Sequence, residues 1–311
     1  MISQSAALKP GTHVGDLQIN AVLGVGSSGI TYLATDPAIG TRFALREYLP
    51  SRHVVRDDDG KVSPDSEASG EIFRSGLRQF LNEARVVAAL EHPNVVKVLR
   101  YFESNGTAYF LMPYYQGQTL HQRLESGGEF NREDAKALML PLMDALEYIH
   151  EQGVIHQDIN PANIYMTQDG DPILLDFARA ASAGSSEAAS RTPGSEPYMA
   201  PEQAETTGEI GPWTDIYGLA ATLYRCVTGS VPVSASERQR QLYTGDADPL
   251  TGFSQLAPAG QFGGLTDAVE LGLNLPLGDR PRDVGQWKKS FESLDWHRSI
   301  VVGGSTESYA K

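Results

Sequence analysis

The feature that most constrains this chain is a change of hydrophobic rhythm at about residue 116. Before it, short β-rich runs at 17–25, 30–35 and 42–48, and again at 95–102 and 107–114, are separated by turn residues. One amphipathic stretch interrupts them at helical spacing: Phe73, Leu77, Phe80, Leu81, Ala84 and Ala88, ending near His92-Pro93. After residue 116, Ala135, Leu138, Leu142, Ala145, Leu146 and Ile149 mark a helix running to His150, with Pro141 inside it and a bend expected there. Residues 213–228 form another, closed by Gly229. Short apolar runs around Ile155, Ile164 and 173–175 predict small hairpins. The expectation is an α+β chain of two lobes. An N-terminal lobe over 17–116 carries a five-stranded antiparallel sheet and one helix, and a C-terminal lobe over 117–294 is mainly helical. Residues 1–16 read as an N-terminal extension, 50–70 as a polar insert in the form of a solvated loop, and 295–311 as a flexible tail.

Charge narrows the function. With 25 Lys+Arg against 39 Asp+Glu, the chain of 311 residues carries a formal −14, which repels phosphate backbones, and no basic patch offsets it; nucleic acid is not an expected partner. The cations are 18 arginines and only 7 lysines, and no lysine falls between Gly11 and Leu49. The lone cysteine, Cys226, sits in the apolar stretch 216–227, which predicts a buried thiol and a reducing compartment. No run reaches the ~18 apolar residues of a membrane-spanning segment, and the start lacks a signal-peptide pattern, so a cytoplasmic location is expected.

Gly24-Val25-Gly26-Ser27-Ser28-Gly29 lies between two strand-like runs, which does not fit a dinucleotide-binding turn; alone it fits a plain hairpin as well as a phosphate-covering loop. The order of the motifs downstream decides between them. Ala44-Leu45-Arg46 stands on the third strand, Glu83 in the next helix, His156-Gln157-Asp158 with Asn163 five residues after the aspartate, then Asp176-Phe177-Ala178 and Ala200-Pro201-Glu202. This succession resembles the protein-kinase signature set over about residues 17–290. More narrowly it is similar to the bacterial Ser/Thr protein kinases, through Gly29-Ile30-Thr31-Tyr32-Leu33-Ala34, Arg46-Glu47-Tyr48-Leu49-Pro50, Pro161-Ala162-Asn163-Ile164-Tyr165, Trp213-Thr214-Asp215-Ile216-Tyr217 and the insert before the helix bearing Glu83.

The resemblance implies a protein-kinase-like fold and a site for ATP and magnesium. In it Asp158 matches the catalytic base, Asn163 and Asp176 the two metal ligands, and Glu83 the helix glutamate. Gly24, Gly26 and Gly29 match the loop over the phosphates, and Ala44 is among the positions expected to bind the nucleotide. Met112 guards the back of the pocket, and Pro113 and Tyr115 supply the hinge carbonyl and N–H. Asp215 is expected to brace the catalytic loop and Glu202 to pair with Arg280. The activation loop would span 180–198, offering Ser182, Ser185, Ser186, Ser190, Thr192 and Ser195.

The cationic side departs from the family pattern. The strand lysine is Arg46, the arginine after the catalytic-loop histidine is Gln157, and the loop lysine is Asn160. Drift toward arginine accounts for Arg46 but not for the other two. A planar guanidinium does not stand where a compact ammonium does. Losing a cation where charge develops costs ~3 kcal/mol of transition-state stabilisation. Three readings are open: a pseudokinase that binds nucleotide or a protein partner, an atypical active Ser/Thr kinase acting on a protein substrate, and a protein adaptor that binds no nucleotide.

Overall fold

The fold is described from a computed structural model. It covers residues 6–292 apart from 27, 128–129, 178–179, 183–193, 206–207, 251–261 and 263. The expected lobes are present. In the first, β1 (His13–Val14), β2 (Leu17–Val25), β3 (Gly29–Asp36), β4 (Thr41–Tyr48), β7 (Arg100–Ser104) and β8 (Thr107–Pro113) form one antiparallel sheet in the order β1-β2-β3-β4-β8-β7. The sheet thus has six strands rather than five, because the N-terminal extension adds the two-residue β1 to its edge. β7 and β8 are joined by the two-residue turn Asn105-Gly106, both at positive φ, as a hairpin twist demands. A Cβ on Gly106 would also meet the Val62 carbonyl at 2.3 Å.

Two expectations fail here. The run 95–102 does not form one strand: the ladder starts at Arg100, while residues 94–96 reach across to the other lobe, where Val96 N donates to Leu174 O and Leu174 N to Asn94 O. Apolar alternation reports burial and does not say which lobe does the burying. The insert is not merely a solvated loop either. It folds as a hairpin, β5 (Val54–Arg56) and β6 (Val62–Pro64), and leads into α1 (Glu67–Ala88), which Ser66 caps.

What holds the insert down is a charge on β4. Strand alternation sends Leu45 and Glu47 to one face and Ala44 and Arg46 to the other. Glu47 is fully buried. Its carboxylate accepts hydrogen bonds from Tyr32 Oη at 2.7 Å, Tyr109 Oη at 2.6 Å and the Arg56 guanidinium at 2.6 Å. Burial and the carboxylate hold both tyrosines well above their usual range, so they stay donors. Arg56 also donates to Ala6 O and Gly60 O, and Leu8 N–H donates to Tyr32 Oη. The N-terminal segment, the insert and β4 therefore meet at one buried ion pair. On the opposite face α1 packs through Phe80 on Phe110 and through Phe73 and Phe80 on Tyr48.

The second lobe opens with the short α2 (Leu120–Glu125) and is built on α3 (Arg132–Glu151), which runs through Pro141, and α4 (Pro212–Thr228), ended by Gly229 at φ 68°. Small strands β9 (Gly117–Thr119), β11 (Ile164–Thr167) and β12 (Pro172–Leu174) form a three-stranded sheet at its top. Between β9 and β11 in sequence, β10 (Val154–Ile155) pairs antiparallel with Ala181–Ser182. Glu202 pairs with Arg280 at 2.6 Å, both almost completely buried, and Thr214 Oγ1 donates to the same carboxylate. Cys226 is buried, and burial pushes its thiol well above the usual range. Among the described residues no helix is long and apolar enough to cross a membrane. The tail 295–311 lies outside the described residues.

Removing one partner of a buried pair strands the other charge, at roughly 3–5 kcal/mol. Arg56→Met is therefore expected to lower the urea midpoint and to raise amide exchange at residues 6–8 and 54–64, with exchange in α4 tracking only the global loss. Uniform exchange throughout would contradict a local clasp. Arg280→Met is expected to cost a similar amount with its local effect confined to the second lobe.

Candidate active site

The floor of the interlobe cleft is the turn 156–163. Asp215, fully buried at the start of α4, accepts from the backbone N–H of His156 at 2.9 Å and of Gln157 at 2.7 Å, and contacts His150 Nε2 at 2.8 Å. Gln157 can thus hold φ 66°, a left-handed conformation that a non-glycine residue rarely keeps without support. Its carbonyl accepts from Gln203 Nε2 at 2.7 Å. His156 Nε2 faces the Leu175 carbonyl at 2.8 Å and must donate to it, so Nδ1 accepts the Asp158 N–H; its ring packs on buried Phe177.

That geometry turns the Asp158 carboxylate inward, where two amides hold it. Asn160 Nδ2 donates to Asp158 Oδ1 and Asn163 Nδ2 to Oδ2, each at 3.1 Å, and both also donate to the Asp158 carbonyl. Asn160 Oδ1 in turn caps the short helical turn at 161–163 through Ala162 N–H. The residue in the place of the family lysine has become a brace for the aspartate.

Pairing of β11 with β12, together with a bond from Leu175 N–H to Asn163 O, brings Asp176 back beside Asn163. Asp176 has φ 57°. Arg46 reaches it from β4: Nη2 lies 3.0 Å from Asp176 Oδ2 and 3.4 Å from Ser28 Oγ, with the guanidinium over the Phe110 ring. Burial works against the charge on Arg46, but Asp176 and Glu83 outweigh it and hold its pKa above the usual range. Glu83 on α1 is also buried, and no ion pair within 4.0 Å joins it to Arg46. Burial pushes the Glu83 carboxyl above the usual carboxylate range despite Arg46, and Asp176 adds to the push. The Phe177 backbone pulls the other way.

The roof is the turn between β2 and β3. Gly29 is required by close approach, since a Cβ there would meet the Glu47 carbonyl at 2.0 Å, whereas Gly24 and Gly26 face open space or ordinary contact. Leu49 N–H ties the tip down through Ser28 O. At the back, Ala44 pairs with Met112 and Phe43 with Pro113, and Tyr165 Oη donates to the Tyr115 carbonyl, orienting the hinge peptide.

The structure thus gathers Gly24, Gly26, Gly29, Ala44, Arg46, Glu83, Met112, Pro113, Tyr115, Asp158, Asn160, Asn163 and Asp176 in or around one cleft. Lys97 is exposed beside Glu91, away from it. Ser195, expected among the loop hydroxyls, is instead buried. Ser27, Ala178, Ser185, Ser186, Ser190 and Thr192 lie outside the described residues. Contacts missed in the sequence are Tyr165 on the hinge, Gln203 on the Gln157 carbonyl and Ser28 on Arg46. None has a spacing signal, because each joins segments at least 18 residues apart.

Magnesium takes oxygen ligands in an octahedral shell. Asn163 bonds Asp158 through Nδ2, which leaves its amide oxygen to ligate, but Asp176 Oδ2, the carboxylate oxygen beside it, is held by Arg46. As arranged, this donor set does not fit a two-magnesium centre.

Comparison with known proteins agrees with the geometry. A family model described as "Protein kinase domain" matches residues 17–257. The chain is 32% identical over 269 residues to the DNA damage-responsive serine/threonine-protein kinase RqkA of Deinococcus radiodurans, covering 81% of this chain and 36% of that protein. It is 31% identical over 232 residues to the probable serine/threonine-protein kinase PknB of Bifidobacterium longum, covering 70% and 31%. A solved structure titled "PpkA-294 apo form" superposes with a TM-score of 0.78 at 29% identity, covering 92% of this chain and 99% of that one. The chain spans about a third of the length of the curated relatives it matches. Because the matched residues include every strand, turn and loop that lines the cleft, the chain belongs to the protein kinase family, with bacterial Ser/Thr kinases among its relatives.

Proposed function

We propose that this bacterial Ser/Thr protein-kinase-like domain binds an adenine nucleotide between its lobes, that phosphotransfer is impaired or lost, and that it works as a nucleotide-responsive module for a protein partner. The observation that carries this reading is the destination of Arg46. It is bonded to Asp176 and not to Glu83, so the cation that would orient phosphates against the helix glutamate is turned toward the metal-ligand position. Asn160, bonded to Asp158, contributes no charge where the transferring phosphate would develop it. Nucleotide binding itself rests on other parts: the uncrowded glycine turn, the hinge carbonyl of Pro113 and the N–H of Tyr115. A cytoplasmic setting is supported by the single cysteine, Cys226, which is buried and has no disulfide partner in the chain.

An active Ser/Thr kinase is the second reading, and the placement of Asp158 favours it. A carboxylate held by two amides at 3.1 Å stands ready to accept a hydroxyl proton from a protein substrate. That reading needs Arg46 to release Asp176 to magnesium when ATP arrives.

Incubation with labelled ATP and Mg²⁺ or Mn²⁺, beside an Asp176→Ala control, separates the two. The expected result is no incorporation above the control; incorporation that the control abolishes overturns the pseudokinase reading. Saturating ATP is expected to raise Tm, since ligand at a hundred times Kd contributes ~2.7 kcal/mol. No shift would favour the adaptor instead. In the Arg46→Lys/Asn160→Lys double variant, restoring both ammonium groups is expected to bring incorporation clearly above the Asp176→Ala control. An unchanged rate would place the defect elsewhere.

A further inference from the structure

The Arg46–Asp176 ion pair has a consequence for what the cleft takes. We propose that the Arg46 guanidinium stands in for the metal ion between Asp176 and the nucleotide phosphates, so that this site prefers a metal-free nucleoside triphosphate. The inference rests on the nucleotide-binding reading and names the form of the ligand.

Three observations carry it. First, the fork lies between Asp176 and the glycine turn. Its Nη2 is 3.0 Å from Asp176 Oδ2 and 3.4 Å from Ser28 Oγ in the turn that covers the phosphates. Both bonds use one terminal nitrogen of a group with five N–H donors, so the fork can keep Asp176 and still donate to phosphate oxygens. Second, the cation is held in place. The Arg46 side chain is 16% exposed, lies over Phe110, and has two carboxyl groups nearby, of which only Asp176 is within ion-pair distance. Third, little else is available to a metal. Asp176 Oδ2, the carboxylate oxygen a metal would need, is bonded to Arg46, and no three-residue cluster of His, Cys, Asp or Glu is placed to bind an ion among the described residues.

A magnesium-bound nucleotide must therefore push a guanidinium off its carboxylate and leave two cations side by side. A free triphosphate meets a cation already oriented. An ammonium at position 46 has no planar fork and cannot serve a carboxylate and a phosphate in the same bidentate way. The preference should thus depend on arginine at that position.

The test is equilibrium binding of ATP to the purified chain by calorimetry, with thermal shift alongside, in excess EDTA and then in excess Mg²⁺. Wild type is expected to bind ATP in EDTA, about tenfold more tightly than with Mg²⁺. Arg46→Lys is expected to reverse that order. Asp176→Asn, which removes a carboxylate from beside the phosphates, is expected to keep or strengthen binding in EDTA, whereas at a metal-dependent site it would abolish binding. Wild-type binding that requires Mg²⁺ overturns the inference and leaves the nucleotide reading standing. No binding of ATP in either buffer overturns both. The wild-type comparison needs no variant, so a substitution that fails to fold does not weaken it.

Discussion

The cleft depends on one buried carboxylate. Asp215 is fully enclosed and takes two consecutive backbone N–H groups of the loop above it, with His150 at its other side. Charge-assisted bonds of this kind are stronger than neutral ones and lose most when left unmade. They hold Gln157 in a left-handed conformation. From that turn follow the inward direction of Asp158, the seat of His156 on Phe177 and, through Leu175, the return of the chain to Asp176. Gln203 secures the same turn from the other side, in the segment that Glu202 and Arg280 anchor to the helical lobe.

The upper lobe solves a different problem on one strand. Successive residues of β4 point to opposite faces, so Arg46 and Glu47, one bond apart in sequence, serve separate electrostatic sites. Glu47 closes a dry joint in which every partner donates to it: two phenols and a guanidinium. The joint draws the insert and residues 6–8 onto the back of the strand whose front carries Arg46. Gly29 lets the glycine turn approach the same strand, against the carbonyl of Glu47 itself. The glycine turn, the cleft cation and the insert thus share one short stretch of backbone.

Much of this was legible in the sequence because it depends on order and local rhythm. The ordered motifs pointed to the family, and the helices of the second lobe matched their apolar spacing. The Glu202–Arg280 pair and the Asp215 brace, expected from the resemblance, are present. What was not legible depends on partners far away in the chain. Residues 95–98 have the composition of a strand, but 94–96 satisfy their backbone on the other lobe. The insert looks solvated because the side chains that order it, Arg56, Val54 and Val62 among them, are scattered amid polar neighbours. Ser195 is one serine among several in a polar run, and only packing distinguishes it. Replacement of the lysine by Arg46 was plain, but not which of two carboxyl groups the arginine would join.

That choice follows from burial. Glu83 lies deeper than Asp176 and is pushed toward its neutral form, first by burial and then by Asp176, against the pull of Arg46. A neutral carboxyl has little to offer a cation, and the Phe177 backbone only partly offsets the push. Asp176 is the more exposed of the two, with 29% of its side chain in contact with solvent, and the guanidinium is long enough to reach it. The acid-rich composition of the chain sharpens the contest, since 25 cationic side chains serve 39 acidic ones. With no lysine in the glycine-turn strands and Asn160 uncharged, Arg46 is the cationic residue among the positions matched to the kinase motifs of strand and catalytic loop, and Asp176 has claimed it.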